Sequence, residues 1–197
     1  MIDNIVQKFK DIILNPTETF QKLRDEQFST AFVYFLVIIV IYIVLSSIVS
    51  MLFVGLFSAM MPGMTARIAV ETSLITGIFS IVFGFICSII GLVIGTLILH
   101  LFVYLLGGRK GIEQTFKAGI YSCTPLALIG WIPLINIIAI IWSLVLEALA
   151  VRELHEISTA RAVLAVLIPI IIIFGLFVTA IITYFIIMTT TSEVMMN

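Results

Sequence analysis

Charge is what this sequence has least of. Charged residues make up 11% of its 197 positions against 62% hydrophobic ones. So little polar surface cannot cover a soluble globule of this size, and lipid is the expected solvent for most of the chain. The net charge of −1 gives no basic field for nucleic acid. Cysteine is nearly absent, and Cys87 and Cys123 both fall inside apolar runs, where a thiol is a small packing residue; no disulfide or metal framework is expected. Aspartate is confined to Asp3, Asp11 and Asp25, which excludes an intramembrane dyad. A glycine-rich nucleotide loop, a zincin helix and a hydrolase nucleophile elbow are all missing. His155 lies beside Glu153 and Glu156, but three polar neighbours on a short loop read as a solvated face rather than a metal site. The chain is expected to be non-enzymatic, with no catalytic set, metal or cofactor.

What is present is a set of long apolar runs whose flanks carry the bases in a strict pattern. Five spans are expected, at about Phe28 to Phe57, Thr72 to Leu106, Glu113 to Ile129, Leu134 to Val151 and Ala160 to Met188. Lys8, Lys10, Lys22 and Arg24 precede the first run, Arg109 and Lys110 lie between the second and third with Lys117 near the start of the third, and Arg152 lies between the fourth and fifth with Arg161 at the start of the fifth. Nine of the ten bases therefore share one side, with Arg67 alone on the other. Flanking Lys and Arg are retained in the cytoplasm during insertion, so the N-terminus is expected inside and the C-terminus outside. The second run needs a strong tilt or a projection beyond the lipid. Pro125 predicts a kink or local opening in the third span, and Trp131 is placed as an interfacial anchor at the outer turn.

The expected fold is all-α: a polytopic transmembrane bundle over residues 28–190, a short outer tail over 191–197, and amphipathic helices over 1–27. Ile2, Ile5, Val6, Phe9, Ile12 and Ile13 form one apolar face. Asn15, Pro16 and Glu18 then read as N-cap, first helical residue and capping-box partner of a second short helix. The mixed charges of this segment are unlike a cleaved signal peptide, so it is expected to be retained. One or both helices are expected in the inner membrane interface with Phe9 and Phe20 turned into lipid; packing on the cytoplasmic ends of the bundle is the alternative.

Two residue sets stand out. Ser73, Gly77, Ser80, Gly84, Ser88, Gly91 and Gly95 recur every three or four positions and form a small-residue face. Such faces let helices approach closely, here against another span of the chain or, through Gly91 and Gly95, against a second copy. Glu147 is a carboxylate inside an apolar run and calls for a partner. His100, Tyr104, Lys117 and Tyr121 reach similar depth, so a Glu147–Lys117 pair within an inner-leaflet cluster is expected, serving as a gate, a headgroup pocket or a bundle-stabilising pair; snorkelling of both side chains to the surface is the alternative.

Asn15-Pro16-Thr17-Glu18-Thr19-Phe20 before the first run, Gly107-Gly108 with Gly111 and Phe116, Tyr121-Ser122 with Pro125, Ile132-Pro133, Trp142, and the stretch from Arg152 to Ser158 followed by Arg161-Ala162 together resemble the Yip1-domain family of membrane proteins. The resemblance implies five spans and a cytoplasmic N-terminus. In eukaryotic relatives a longer N-terminal region is associated with vesicle trafficking and prenylated Rab-type GTPases. Only residues 1–27 precede the first run here, so Rab-type binding is not expected, and the compact form is similar to prokaryotic members. The expected role is a multi-pass integral membrane protein, of the cytoplasmic membrane if prokaryotic, that organises membrane or partner proteins. The alternative is a small transporter, channel or lipid-binding protein using the cluster around Glu147. Expected partners are the bilayer and either a second copy or another membrane protein, with no nucleic acid.

Overall fold

A computed structural model describes the backbone of residues 2–60 and 66–196 and the side chains of residues 5–56, 60, 77–189 and 191. The expected outer connection at 61–65 and the side chains of Arg67 and Ser73 lie outside the described residues. Among the described residues eight helices follow one another: α1 (Ile2–Leu14), α2 (Pro16–Leu23), α3 (Phe28–Met60), α4 (Ala66–Leu105), α5 (Ile112–Ser122), α6 (Thr124–Ile129), α7 (Asn136–His155) and α8 (Thr159–Met196). No strand occurs among the described residues.

The β-branched composition of α3, α4 and α8 would weaken a helix in water. In lipid each backbone N–H and C=O must be satisfied within the segment, and the helix is the one single-segment solution. Among the described residues three stretches are long and apolar enough to cross a membrane: Phe28–Leu56, Gly77–Leu105 and Thr159–Thr189. At about 1.5 Å per residue, each exceeds the hydrocarbon core of about 30 Å. The expected third and fourth spans take another form. The third is broken into α5 and α6, because Pro125 offers no N–H and disfavours helical geometry at the residue before it. The fourth, α7, carries Glu147, Arg152 and Glu153, so length and composition alone do not mark it as a crossing. The last helix continues through Met196, beyond the expected end of the fifth span.

The packed core lies at the basic end of the bundle. Ile12, Phe20, Tyr34, Phe35, Val103, Tyr121, Leu146, Val151, Leu154 and Ala162 are buried there, while Leu52, Phe83, Phe174 and Phe185, farther along α3, α4 and α8, are exposed. This distribution corrects one expectation. Phe20 is fully buried in protein and the Phe9 ring packs on Tyr34 at 5.4 Å between centroids, so α1 and α2 dock on the helix ends instead of turning these rings into lipid. The physical reason is the number of partners available: Phe20 and Leu23 of α2 meet α7, whose end they cover.

Turn chemistry closes this end. Gly107, at φ +100°, follows α4, with Gly108 N–H donating to the Val103 carbonyl (2.8 Å) and Gly107 N–H to that of Tyr104 (3.2 Å). That pair of bonds is a Schellman cap, which requires a left-handed residue. Glu156 occupies the same position after α7 at φ +55°, without glycine's freedom. Ion pairs from Arg24 and Lys110 hold its carboxylate in place. The expected capping box is not formed: Asn15 makes no side-chain cap bond, because its N–H still donates to Asp11 as a continuation of α1.

Candidate functional site

The expected polar cluster does not come together, and each of its residues has its own surroundings. Lys117 is 1% exposed and does not reach Glu147. Its ammonium donates to the Arg24 carbonyl (3.0 Å) and pairs with Glu113 (3.3 Å), four residues earlier on α5. Lys117 sits in the second turn of α5, so its long stem runs back to the charged end, whereas Glu147 lies two turns inside α7. Tyr104 is 52% exposed and carries Arg109 over its ring at 3.7 Å. Tyr121 donates its hydroxyl to Glu26, which also pairs with Lys8 at 2.5 Å. His100 faces Thr115, whose hydroxyl lies 2.7 Å from His100 Nδ1 and 3.0 Å from His155 Nε2.

These contacts join a polar cap. Arg24 bonds Glu156 and the Glu153 carbonyl; Gln21 bonds Glu153 (2.8 Å) and Arg152 reaches Thr17 (3.2 Å). Lys110 and Arg24 hold the exposed Glu156 carboxyl below the usual carboxylate range. His155 corrects a second expectation: it is 2% exposed, not part of a solvated face. Burial, then the positive potential of His100 and Lys110, pushes its pKa down to about 4, so the ring is neutral at pH 7. Among the described residues no group of three or more His, Cys, Asp or Glu can hold a metal.

Glu147 stands apart from all of this. Among the described residues none bonds to or ion-pairs with its carboxyl. It lines a cavity of about 360 Å³ together with Phe35 and Ile39 of α3, Ser88, Gly91, Gly95 and Thr96 of α4, Gly119 and Ser122 of α5, and Ser143 of α7. The cavity exists because α5 packs on both α4 and α7, while those two make no substantial contact with each other. Ser143 is 8% exposed, and its buried hydroxyl has no hydrogen-bond partner.

The small-residue face divides along its length. Its first half packs on α3: a Cβ at Gly77 would lie 2.4 Å from Met51 Cε, Ser80 meets Ser47 at 3.4 Å, and Gly84 faces Ile43. Its second half does not serve close packing, since a Cβ at Gly91 or Gly95 would meet nothing within 4 Å, and Ser88, Gly91 and Gly95 open on the cavity. Ser143, Gly119 and Thr96 were not singled out in the sequence, and Ser122 only as part of the family resemblance. The usable signal was the spacing of four between Ser143 and Glu147 and of three between Gly119 and Ser122, which puts each pair on one helix face.

Comparison with curated proteins and with solved structures gives no match. The family model described as the Yip1 domain matches residues 10–182, which takes in part of α1, all of α2 to α7 and most of α8. The chain is a membrane protein belonging to the Yip1 domain family.

Proposed function

We propose that this protein is a non-enzymatic, multi-pass Yip1-type membrane protein that works by binding: it holds a membrane-borne ligand in the cavity beside Glu147 and so organises its surroundings without converting a substrate. The observation that carries the reading is a carboxyl and a buried hydroxyl, Glu147 and Ser143, that share one cavity and find no partner among the described residues. An ionisable group at such depth costs about 1–3 kcal/mol unless paired or hydrated, so the bundle alone gives no reason for it.

Topology in this reading is N-terminus inside and C-terminus outside, with the α5–α6 and α7 hairpin supplying the third and fourth of five spans. The hairpin starts and ends at the charged cap whatever depth its apex at Trp131 reaches, so the side of α8 follows from the bases alone.

The test is native mass spectrometry of the purified protein. A small amphiphile that survives purification with the native chain and is lost from Gly91→Leu supports binding at the cavity. Identical adducts on both proteins would refute it. A second reading, a scaffold for partner proteins, draws support from the outer face of α1, where Val6 and Leu14 are 48% and 72% exposed. Crosslinking from Leu14 to a protein partner, lost on Leu14→Glu, would favour that reading.

A further inference from the structure

The geometry points to a primary ammonium group on a membrane-soluble amphiphile as the ligand of the Glu147 cavity, an inference that rests on the binding reading above. The polar wall of the cavity is rich in acceptors, with the Thr96 hydroxyl beside them. Ser88 has spent its proton on the Gly84 carbonyl (2.7 Å), Ser122 on that of Gly119 (3.0 Å), and the Cys123 thiol on the same carbonyl (3.2 Å). Each donor is satisfied within its own helix turn, which leaves oxygen lone pairs toward the cavity. Glu147 adds a carboxyl with no partner, and Ser143, one turn earlier on the same face of α7, adds a hydroxyl with an unmet bond.

No Lys, Arg or His lines the space. A phosphate or carboxylate there would face the Glu147 carboxyl and hydroxyl oxygens with nothing to neutralise it, at the low dielectric that makes such repulsion strong. An alkylammonium has three donors and no acceptor, the complement of this wall. Its bond to Glu147 would be charge-assisted. A quaternary ammonium has the charge without the donors, so it separates hydrogen bonding from simple attraction.

Size and access agree with an amphiphile. A volume of about 360 Å³ lies at the low end of ligand cavities, room for a head and its first carbons. The remainder of the ligand has a way out: Gly91, Gly95 and Ile140 line the cavity and are themselves exposed on the lipid-facing side. Phe35, Ile39, Leu92, Leu126 and Leu144 supply the apolar wall. Glu147 lies five residues, or about 7.5 Å of helix rise, from Arg152 at the cap, the level to which a lipid head can be drawn from the inner surface.

The same ammonium chemistry occurs on an aminophospholipid and on a free long-chain amine. Purified, delipidated protein in detergent is therefore titrated with a long-chain primary alkylamine, with phosphatidylethanolamine, with the trimethylated counterpart of each, and with phosphatidylglycerol, and retention is read by native mass spectrometry. At least one primary amine should be held about tenfold more tightly than its trimethylated counterpart and than phosphatidylglycerol, and Glu147→Gln should remove about that factor. Retention of the alkylamine but not the phospholipid, or the reverse, supports the inference and identifies the source. Gly91→Leu, whose added carbons enter open space, should abolish retention while the protein keeps its helical circular dichroism. Equal retention of amine, trimethylated and anionic amphiphiles would overturn the inference, as would an amine preference unchanged in Glu147→Gln. If an anionic amphiphile is held preferentially and lost from Gly91→Leu, the ammonium is overturned and the binding reading stands. If nothing responds to Gly91→Leu, both fall.

Discussion

His155 makes the stability of the cap depend on pH in a direction that can be worked out beforehand. The ring is 2% exposed, with Thr115 of α5 on Nε2, His100 of α4 nearby and Lys110 of the intervening turn adding positive potential. Its Nδ1 is buried without a hydrogen-bond partner, so a second proton would have nowhere to be shared. The folded value of about 4 lies below the ordinary 6.5, so between these pH values the unfolded chain binds a proton that the folded chain refuses. Stability from this group is therefore complete above about pH 6.5, falls as pH is lowered toward 4, and is flat below. At 1.36 kcal/mol per pH unit, the whole effect is about 3 kcal/mol. Denaturant unfolding in detergent, followed by circular dichroism from pH 8 to pH 4, would measure it against His155→Gln, which cannot titrate. Carboxylates such as Glu156 also lose their ion pairs in acid, so the quantity to read is the difference between the two proteins. That difference should shrink as pH falls. A constant difference, or a native protein that gains stability relative to the variant in acid, would refute the reasoning.

Three further substitutions test packing. Gly108→Ala would place a Cβ 2.4 Å from Val103 Cγ1 and 3.0 Å from His155 Nδ1, and should cost about 2 kcal/mol. Gly91→Ala meets open space and should be neutral or stabilising by up to about 1 kcal/mol, so equal unfolding midpoints for the two variants would contradict the packing described. Phe20→Ala should destabilise the whole bundle by about 3–5 kcal/mol, as a fully buried ring does; unchanged unfolding would restore the lipid-facing placement of α2.

Helices were legible because apolar runs flanked by bases admit few alternatives, and Pro125 marked the break between α5 and α6. The docking of α1 and α2 was not, since an apolar stripe is the same whether it meets lipid or protein; only the positions of Phe9 against Tyr34 and of Phe20 in the core decide it. The Glu147–Lys117 pair was inferred from depth alone. Depth ranks residues along the membrane normal but says nothing of azimuth, and Lys117 has a long stem able to travel toward Arg24. His155 was obscured for a related reason: of its neighbours only Glu156 is exposed, Glu153 being held by Arg152 and Gln21, and helical rotation puts the ring itself inward against Thr115.

The cap and the cavity differ in how polarity is handled, and the difference bears on function. In the cap, Glu26, Glu153 and Glu156 all meet a cation or donor, and even the fully buried Lys117 has a carbonyl and a carboxylate. Such pairs roughly repay their own desolvation and fix geometry. Glu147 is treated otherwise, although Lys117 on the neighbouring α5 is spent elsewhere and His100 is committed to Thr115. The glycines that leave space beside it are equally unhelpful to packing, because helix association in lipid gains from close approach and Gly91 and Gly95 approach nothing. A carboxyl without a partner and glycines without a contact each weaken the bundle if it is considered alone. Both become intelligible once the partner is a molecule from the membrane, entering past the glycines to the carboxyl, with α5 packed between α4 and α7 and keeping those two far enough apart for the space to persist.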